Sequence, residues 1–386
     1  MTCLSLFFTF DSTHHSGWWK SARVTLPSDQ DKAGGTAAED MPMKAMVLRQ
    51  KNEPFVLENR PDPKAGPGEA VARVFACGSG LTIHHTRAGR TVTNYPIVIG
   101  HEVVGEIVEI GPGVQTLKVG DIVTLHGYLS CGHCRWCRIN REPLCDNLAG
   151  FVGRQMDGGY AEFIKLPARN FIPIPPSLDY KNHPAEVAVI SDAIVTPYKL
   201  VRRARIAPLE TVAVFGAGGG VGIHMVMLAR WAHARVIAVD VSAEKLRKCR
   251  EVGAEAVVDA SKENVVEALR ELTGGVGVDV AIDFVSQVST LQAGTESLGK
   301  GGRLVTLGGY SPLPFPVSAS WLLAGEREIM GSRAFTKQEV IEALELCARG
   351  QVWPVVTELY RLEDAEKVHA RLEAGSITGR AAIVMG

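Results

Sequence analysis

A short apolar segment that runs into a cluster of glycines constrains this chain more than any other feature. Thr211–Phe215 has the composition of a buried strand, and apolar residues at helical spacing follow the glycines. Glycines at such a junction allow a tight turn, close approach of the backbone to a pyrophosphate, and close packing of helix on strand. The helix N-terminus adds free N–H groups and a positive partial charge. We therefore predict a dinucleotide-binding loop formed by Gly216, Gly218, Gly219, Gly220, Val221 and Gly222.

An acidic residue ends the next strand-like segment, about 20 residues beyond the glycines. At this position Asp240 is expected to accept hydrogen bonds from both ribose hydroxyls, and its charge would repel a 2′-phosphate. The sequence therefore favours NAD over NADP as the cofactor. Two other interpretations stay open, because the turn could bind no ligand and Asp240 could be a structural acid at a strand end.

Four cysteines crowd into one short segment with the spacing C-x2-C-x2-C-x7-C. They are Cys131, Cys134, Cys137 and Cys145. Four thiolates that close a tetrahedron make a structural zinc site with no open position for a substrate. Such crowding favours a metal site in a reducing compartment over disulfides, so we expect a cytoplasmic protein. An iron–sulfur cluster or four free thiols are the alternatives.

The chain of 386 residues is long enough for two domains, and its pattern changes once along its length. From Met43 to about Ser191, short β-type segments are broken by glycine and proline, which is typical of a β-rich, barrel-like domain. From about Thr196, strand and helix patterns alternate, which predicts a parallel, doubly wound sheet. After about Ser332, two helical segments and a last strand at 381–385 are expected to rejoin the first domain.

Charge and hydropathy exclude several classes of partner. The 41 lysines and arginines nearly balance the 42 aspartates and glutamates, so no basic excess indicates a nucleic acid or an anionic membrane. No apolar run approaches the roughly 18 residues that span a bilayer. We therefore expect a small-molecule substrate as the partner. Residues 1–42 are predicted to be a disordered leader that carries no chemistry, since 28–40 are polar and rich in glycine and alanine.

Together these motifs resemble the zinc-containing medium-chain dehydrogenase/reductase family, whose best-known members are alcohol dehydrogenases. The resemblance covers about 43–385 and also rests on Gly100-His101-Glu102, on Gly120-Asp121 and on Gly158-Gly159-Tyr160-Ala161-Glu162. It implies an α/β protein with a GroES-like, β-rich catalytic domain at 43–195 and 334–386 and a Rossmann domain at 196–333. The active site is then expected in the cleft between the domains. The resemblance also implies a homodimer or a homotetramer.

The resemblance implies a second, catalytic zinc, but this chain departs from the family pattern at one ligand. The position of the ligand cysteine falls on Gly80, which has no side chain, whereas His101, Glu102 and Asp192 match the other positions. A zinc held by these three residues, with Cys77 or His84 as a substitute ligand, stays open. So does a site without metal, as in the quinone and enoyl reductase branch, with His101 hydrogen-bonded to a carboxylate.

Two further residues match a proton relay in the alcohol dehydrogenases of the family. Thr82 and His85 correspond to the hydroxyl and the imidazole that pass the proton of the alcohol to solvent. The leading hypothesis is reversible oxidation of an alcohol to a ketone or aldehyde by hydride transfer to NAD. One alternative is a zinc-independent, NAD(P)H-dependent enoyl or quinone-type reductase. The other is a nucleotide-binding protein without catalysis.

Overall fold

The computed structural model describes residues 42–308 and 314–386, so the predicted leader lies outside the described residues except for Pro42. The strands are β1 (Met43–Leu48), β2 (Phe55–Arg60), β3 (Glu69–Ser79), β4 (Ile97–Val98), β5 (Val103–Ile110), β6 (Ile122–Leu125), β7 (Phe163–Pro167), β8 (Phe171–Pro173), β9 (Thr211–Phe215), β10 (Arg235–Asp240), β11 (Ala256–Asp259), β12 (Val278–Asp283), β13 (Leu298–Thr306), β14 (Glu328–Gly331), β15 (Val356–Tyr360) and β16 (Arg380–Val384). The α-helices are α1 (Leu81–Arg87), α2 (Arg135–Arg138), α3 (Pro184–Val189), α4 (Val195–Arg203), α5 (Gly222–Trp231), α6 (Ala243–Glu251), α7 (Val265–Leu272), α8 (Val288–Glu296), α9 (Ala319–Gly325), α10 (Lys337–Ala348) and α11 (Ala365–Glu373). Short 3-10 turns lie at Glu142–Leu144, Ala168–Asn170 and Leu362–Asp364.

The β-rich part of the chain is built around strand β3. A seven-stranded sheet runs in the order β15-β16-β3-β5-β6-β8, with β7 also paired to β3, and a three-stranded sheet has the order β2-β1-β4. Strand β16 pairs antiparallel with β3, with Cys77 opposite Ile383. The last strand of the chain therefore pairs with a strand of the β-rich part about 300 positions earlier.

The second large sheet has six parallel strands in the order β11-β10-β9-β12-β13-β14. Strand β9 lies inside this sheet, and its residues from Val212 to Phe215 are buried, as its apolar composition predicts. From β9 the chain adds β10 and β11 on one side of the sheet and then β12, β13 and β14 on the other side, so the strand order reverses between β9 and β12. At such a switch point the loops that follow the two strands leave a crevice in which ligands bind. The predicted α/β class, with a doubly wound parallel sheet, is confirmed.

Helix boundaries follow local capping signals. Helix α6 begins after Ser242, whose side chain accepts a hydrogen bond from the N–H of Lys245 as an N-cap does. Helix α10 begins with a capping box between Thr336 and Glu339. Over the ranges 42–308 and 314–386, we find no helix that is both long enough and apolar enough to cross a bilayer.

Candidate active site and structural metal centre

The glycine loop connects β9 to α5 and has a backbone that side chains would disrupt. Gly216 has φ of +72°, a conformation that strains most other residues. A Cβ on Gly222 would overlap the carbonyl oxygen of Gly216 and lie 2.9 Å from the Cα of Ala217. Helix α5 begins at Gly222, so its N-terminal N–H groups lie next to the loop. The loop therefore has the close-packed turn and the helix end that a pyrophosphate requires.

Asp240 ends β10 and holds this loop in place. One carboxylate oxygen accepts the N–H of Gly218 at 2.9 Å, and the other accepts those of Val241 at 2.8 Å and Ser242 at 3.2 Å. The residue is only 8% exposed. Sequence reasoning assigned Asp240 to a ribose, and the structure adds that the same carboxylate fixes the backbone of the glycine loop.

A buried histidine ties the loop to the C-terminal segment. Nδ1 of His224 donates to the carbonyl of Gly220 at 2.7 Å, and its Nε2 accepts the N–H of Val355 at 2.8 Å. Burial lowers the pKa of His224 to about 4, so the ring is neutral and has the one donor and one acceptor that these contacts require. The N–H of Gly379 also donates to the carbonyl of Gly218 at 3.0 Å. Sequence analysis missed His224, because it belongs to no motif.

The four predicted cysteines come together around α2. Their Sγ atoms lie 3.6 Å apart for Cys134 and Cys137, 3.9 Å for Cys134 and Cys145, and 4.0 Å for Cys131 and Cys137. A tetrahedron of sulfurs about 2.3 Å from one zinc has edges of about 3.8 Å. The seven cysteines within the described ranges form no disulfide. The geometry therefore fits a structural zinc with four thiolate ligands, which leave no coordination position open for a substrate.

Local hydrogen bonds favour the thiolate form at two of these cysteines. The backbone N–H of His133 lowers the pKa of Cys131 to about 6, and the backbone N–H of Cys137 lowers the pKa of Cys134. Burial raises the pKa of Cys137 to about 12. Thiolates are the form that binds zinc, so this lobe is chemically suited to the metal as well as geometrically.

A second polar cluster lies at the junction between the two sheets. One ligand atom from each of His101, Glu102 and Asp192 lies within 4.8 Å of the others, as their place in the sequence pattern predicted. Nε2 of His101 is 3.8 Å from Oδ2 of Asp192, and the imidazole packs against the ring of Phe151. His101 is 8% exposed and Glu102 is fully buried.

A wide helical turn positions Asp192. Residues Ile190–Ile194 form a π turn between α3 and α4. Pro197, the third residue of α4, has no N–H to donate to the carbonyl of Ala193, so regular α-helical pairing is interrupted here. The Oδ1 atom of Asp192 accepts the hydroxyl of Thr196 at 2.9 Å, which fixes the carboxylate within the turn.

An arginine that sequence analysis did not identify completes the cluster. Nε of Arg380 donates to Oε2 of Glu102 at 3.0 Å, and its Nη2 donates both to Oε1 of Glu102 and, at 2.7 Å, to Oδ2 of Asp192. The arginine is 4% exposed. A Cβ on Gly80 would overlap Nη1 of Arg380 and lie 2.7 Å from its Cζ. The guanidinium thus lies where a side chain at Gly80 would extend.

These contacts shift the pKa values of the cluster. Burial raises the pKa of Glu102 to about 8, and the charge of Arg380 opposes this shift. Burial would also raise the pKa of Asp192, but the neighbouring His101 and Arg380 lower it well below its usual range. Burial lowers the pKa of His101, so its imidazole is neutral near pH 7. Asp192 is therefore a carboxylate beside a neutral imidazole.

The cluster does not fit a catalytic zinc as it stands. Catalytic zinc sites have three protein ligands and an open position. Gly80 provides no ligand atom, and both Glu102 and Asp192 already accept hydrogen bonds from the positively charged Arg380. Cys77 is buried in the core of the β-rich part, and His84 lies on α1 beside His85, so neither joins the cluster.

The predicted relay residues lie on α1, which begins directly after Gly80. Thr82 and His85 are one helical turn apart and both are half-buried. Burial, followed by the charge of Arg90, lowers the pKa of His85 to about 4. Nδ1 of His85 is 3.1 Å from Nη1 of Arg90, and because arginine can only donate, this nitrogen is unprotonated. The neutral ring therefore has its proton on Nε2.

Comparisons with protein families match both parts of the chain. Residues 66–176 match the "Alcohol dehydrogenase GroES-like domain" and residues 220–349 match the "Zinc-binding dehydrogenase" domain. The first range contains the four cysteines together with His101 and Glu102, and the second contains Asp240. The predicted GroES-like domain is confirmed by this match.

Similar proteins extend the match over most of the chain. An alcohol dehydrogenase of Geobacillus stearothermophilus is 36% identical over 343 residues, which is 88% of this chain and 98% of that protein. An NAD-dependent alcohol dehydrogenase of Sulfolobus acidocaldarius is 32% identical, with 88% and 98% covered. The crystal structure of the alcohol dehydrogenase of Aeropyrum pernix superposes with a TM-score of 0.82 at 34% identity, and covers 88% of this chain and 99% of that one.

Proposed function

The chain belongs to the zinc-binding alcohol dehydrogenase family of medium-chain dehydrogenases/reductases, and from this premise we propose that it oxidises an alcohol to a ketone or aldehyde with NAD. The reaction is reversible and converts an alcohol and NAD⁺ to a carbonyl compound, NADH and a proton. The substrate is a small molecule. A structural zinc would be held by Cys131, Cys134, Cys137 and Cys145 and would take no part in the chemistry.

One observation carries the proposal, which is that Arg380 borders both the glycine loop and the His101 cluster. A Cβ on Gly220 would lie 2.5 Å from Nη1 of Arg380, while Nη2 of the same side chain contacts Asp192. The nucleotide loop and the polar cluster therefore meet across a single guanidinium. This arrangement supports a cofactor that reaches from the edge of the parallel sheet to the cluster.

When bound, NAD supplies the hydride acceptor, and the protein provides placement and proton handling. We propose that the hydroxyl of Thr82 accepts the proton of the alcohol and transfers its own proton to His85. The low pKa of His85 leaves its ring unprotonated at neutral pH, although as a weaker base than an ordinary histidine. Because Arg90 occupies Nδ1, this arginine must move aside when the ring takes up the proton. His101 and Asp192 are proposed to line the substrate side of the cleft.

Asp240 supports NAD over NADP. Its carboxylate lies at the end of β10, beside the glycine loop, where a 2′-phosphate would meet a negative charge. Each carboxylate oxygen has more than one lone pair, so ribose hydroxyls can donate to Asp240 while the backbone contacts persist. The cofactor residues are proposed to be Gly216, Gly218, Gly219, Gly220, Val221, Gly222 and Asp240.

A second candidate is reduction of an activated carbon–carbon double bond, which the absence of a side chain at Gly80 favours. Such a reaction forms no alkoxide at the carbinol carbon and so needs less positive charge beside the substrate. Thr82 and His85 argue against it, because an alkene reductase has no alcohol proton to remove. A catalytically inactive nucleotide-binding protein is the third hypothesis from the sequence, and no observation favours it.

A substrate screen tests the proposal. The purified protein is incubated with primary, secondary and cyclic alcohols and either NAD⁺ or NADP⁺, and absorbance of the reduced cofactor is recorded. We expect turnover with at least one class of alcohol and a preference for NAD⁺. Consumption of NADH with enones, and none formed with any alcohol, would reject alcohol oxidation in favour of the reductase. Thr82→Val is the matched variant, because it keeps the shape of the side chain and removes the hydroxyl.

The assembly and the compartment remain proposals as well. Family resemblance supports a homodimer or homotetramer, which light scattering on the purified protein would check. The free thiols of the described cysteines, with no disulfide among them, support a reducing compartment such as the cytoplasm.

A further inference from the structure

We infer that the guanidinium of Arg380 takes the place of a second zinc in this chain, so that only the four-cysteine lobe binds the metal. The inference goes beyond the proposed function, because it concerns which group carries the positive charge in the cleft. It stands on the space beside Gly80, the contacts of the two carboxylates and the charge of the cluster.

The guanidinium of Arg380 fills the space beside Gly80. A Cβ on Gly80 would overlap Nη1 of Arg380, and it would also lie 2.7 Å from Cζ and 2.9 Å from Nη2. The guanidinium therefore fills the volume into which a thiolate ligand at this position would extend. Arg380 can adopt this orientation because residue 80 is a glycine. A cysteine at position 80 would overlap the guanidinium.

The carboxylate oxygens of the cluster already accept hydrogen bonds. Arg380 donates three hydrogen bonds to Glu102 and Asp192, and the hydroxyl of Thr196 donates to the remaining oxygen of Asp192. Every carboxylate oxygen of the cluster thus has a hydrogen-bond donor already. A metal would have to bind beside the positively charged donors of Arg380, and it would gain His101 and no thiolate. Zinc sites in proteins offer more ligands than that.

A zinc in this cluster would lie close to the positive charge of Arg380. If it bound Oδ2 of Asp192 at about 2.0 Å, it would lie within about 5 Å of Nη2 of Arg380. Two cations at that separation repel strongly in a buried site. Arg380 has little room to withdraw, because it is 4% exposed and its backbone N–H is held by the carbonyl of Val355 at 3.0 Å. Arg380 already places one positive charge between the two carboxyl groups.

Zinc content per chain tests this inference. The protein is produced with added zinc, dialysed against zinc-free buffer and measured by elemental analysis, together with Asp192→Asn and Cys134→Ser. We expect a single zinc in the wild type, a single zinc in Asp192→Asn, and a loss confined to Cys134→Ser. Two zincs in the wild type that fall to one in Asp192→Asn would overturn the inference. Failure of Cys134→Ser to fold leaves the comparison of the other two proteins intact.

A gain-of-metal variant tests whether Gly80 and Arg380 decide the outcome. Gly80→Cys combined with Arg380→Met supplies a thiolate and removes the competing cation, and we expect it to bind a second zinc. Gly80→Ser with Arg380→Met is the matched control, because it fills the same space without a thiolate, and it should stay at one. A double variant with cysteine that also stays at one would contradict the assignment. The zinc content is independent of the proposed function. If alcohol oxidation is wrong, no NADH forms from any alcohol, and the zinc content of the wild type and the variants stays as expected here.

Discussion

Replacing Asp240 with alanine should both destabilise the protein and weaken NADH binding. The carboxylate accepts three backbone N–H groups, from Gly218, Val241 and Ser242, at 2.8–3.2 Å. Alanine leaves all three without their acceptor, and it also removes the proposed partner of the ribose hydroxyls. The two effects come from one side chain but are read by separate measurements.

The size of the stability effect follows from the contacts. A buried donor without an acceptor costs about 1–3 kcal/mol, and water can reach part of this loop because Asp240 is 8% exposed. We therefore expect the free energy of unfolding to fall by about 3–5 kcal/mol. Loss of the charge-assisted bonds to the ribose should weaken NADH binding by about 3 kcal/mol, or roughly 100-fold.

The matched control is Asp259→Ala. Asp259 ends the neighbouring strand β11 and lies directly opposite Asp240 in the parallel register, but its side chain caps Ser261 and pairs with Lys262. Urea unfolding and titration of NADH fluorescence are measured for both variants. The control should lose about 1 kcal/mol of stability and keep its NADH affinity. Equal NADH affinity in wild type and Asp240→Ala would refute the assignment of this carboxylate to the cofactor.

Three further predictions follow from the same geometry. Cys134→Ser should release the structural zinc and lower the thermal midpoint, measured by elemental analysis and calorimetry; an unchanged zinc content would contradict the lobe. Gly222→Ala should weaken NADH binding at least about 10-fold, since its Cβ would overlap the carbonyl oxygen of Gly216, and backbone overlap costs about 1–3 kcal/mol; wild-type affinity would show that the loop is not the cofactor site. Arg90→Gln should raise the pKa of His85 from about 4, because the arginine charge and burial together hold it down. If a neutral His85 is required for alcohol oxidation, the variant should lose rate at about pH 5 while the wild type does not, and identical pH–rate profiles would remove His85 from the relay.

Much of the fold could be predicted because its signals are local. Strand β9 has the bounds Thr211–Phe215 that its apolar composition predicts. Strand β13 contains Gly299, Gly301 and Gly302 near its start, and local propensity disfavours glycine in strands. These positions continue the strand with an irregular pairing to β12, a tertiary effect that local propensity does not contain.

The candidate site was predictable only in part. The cysteines, the glycine loop and the residues His101, Glu102 and Asp192 stand in recognisable patterns. Arg380 does not, since it lies 278 positions from Glu102 and reaches the cluster only through the pairing of β16 with β3. The pairing brings together two strands that are about 300 positions apart in the sequence. No local sequence pattern therefore predicts that an arginine occupies the space beside Gly80.

Transfer of deuterium from the substrate to NAD⁺ tests the proposed alcohol oxidation at the bond that breaks. The protein is incubated with NAD⁺ and an alcohol that carries deuterium on its carbinol carbon, and the nicotinamide product is analysed by mass spectrometry. We expect the deuterium to appear on the reduced nicotinamide, with one carbonyl product for each NADH. Reduced cofactor without deuterium, or no reduced cofactor from any alcohol while NADH is consumed with an activated alkene, would contradict it.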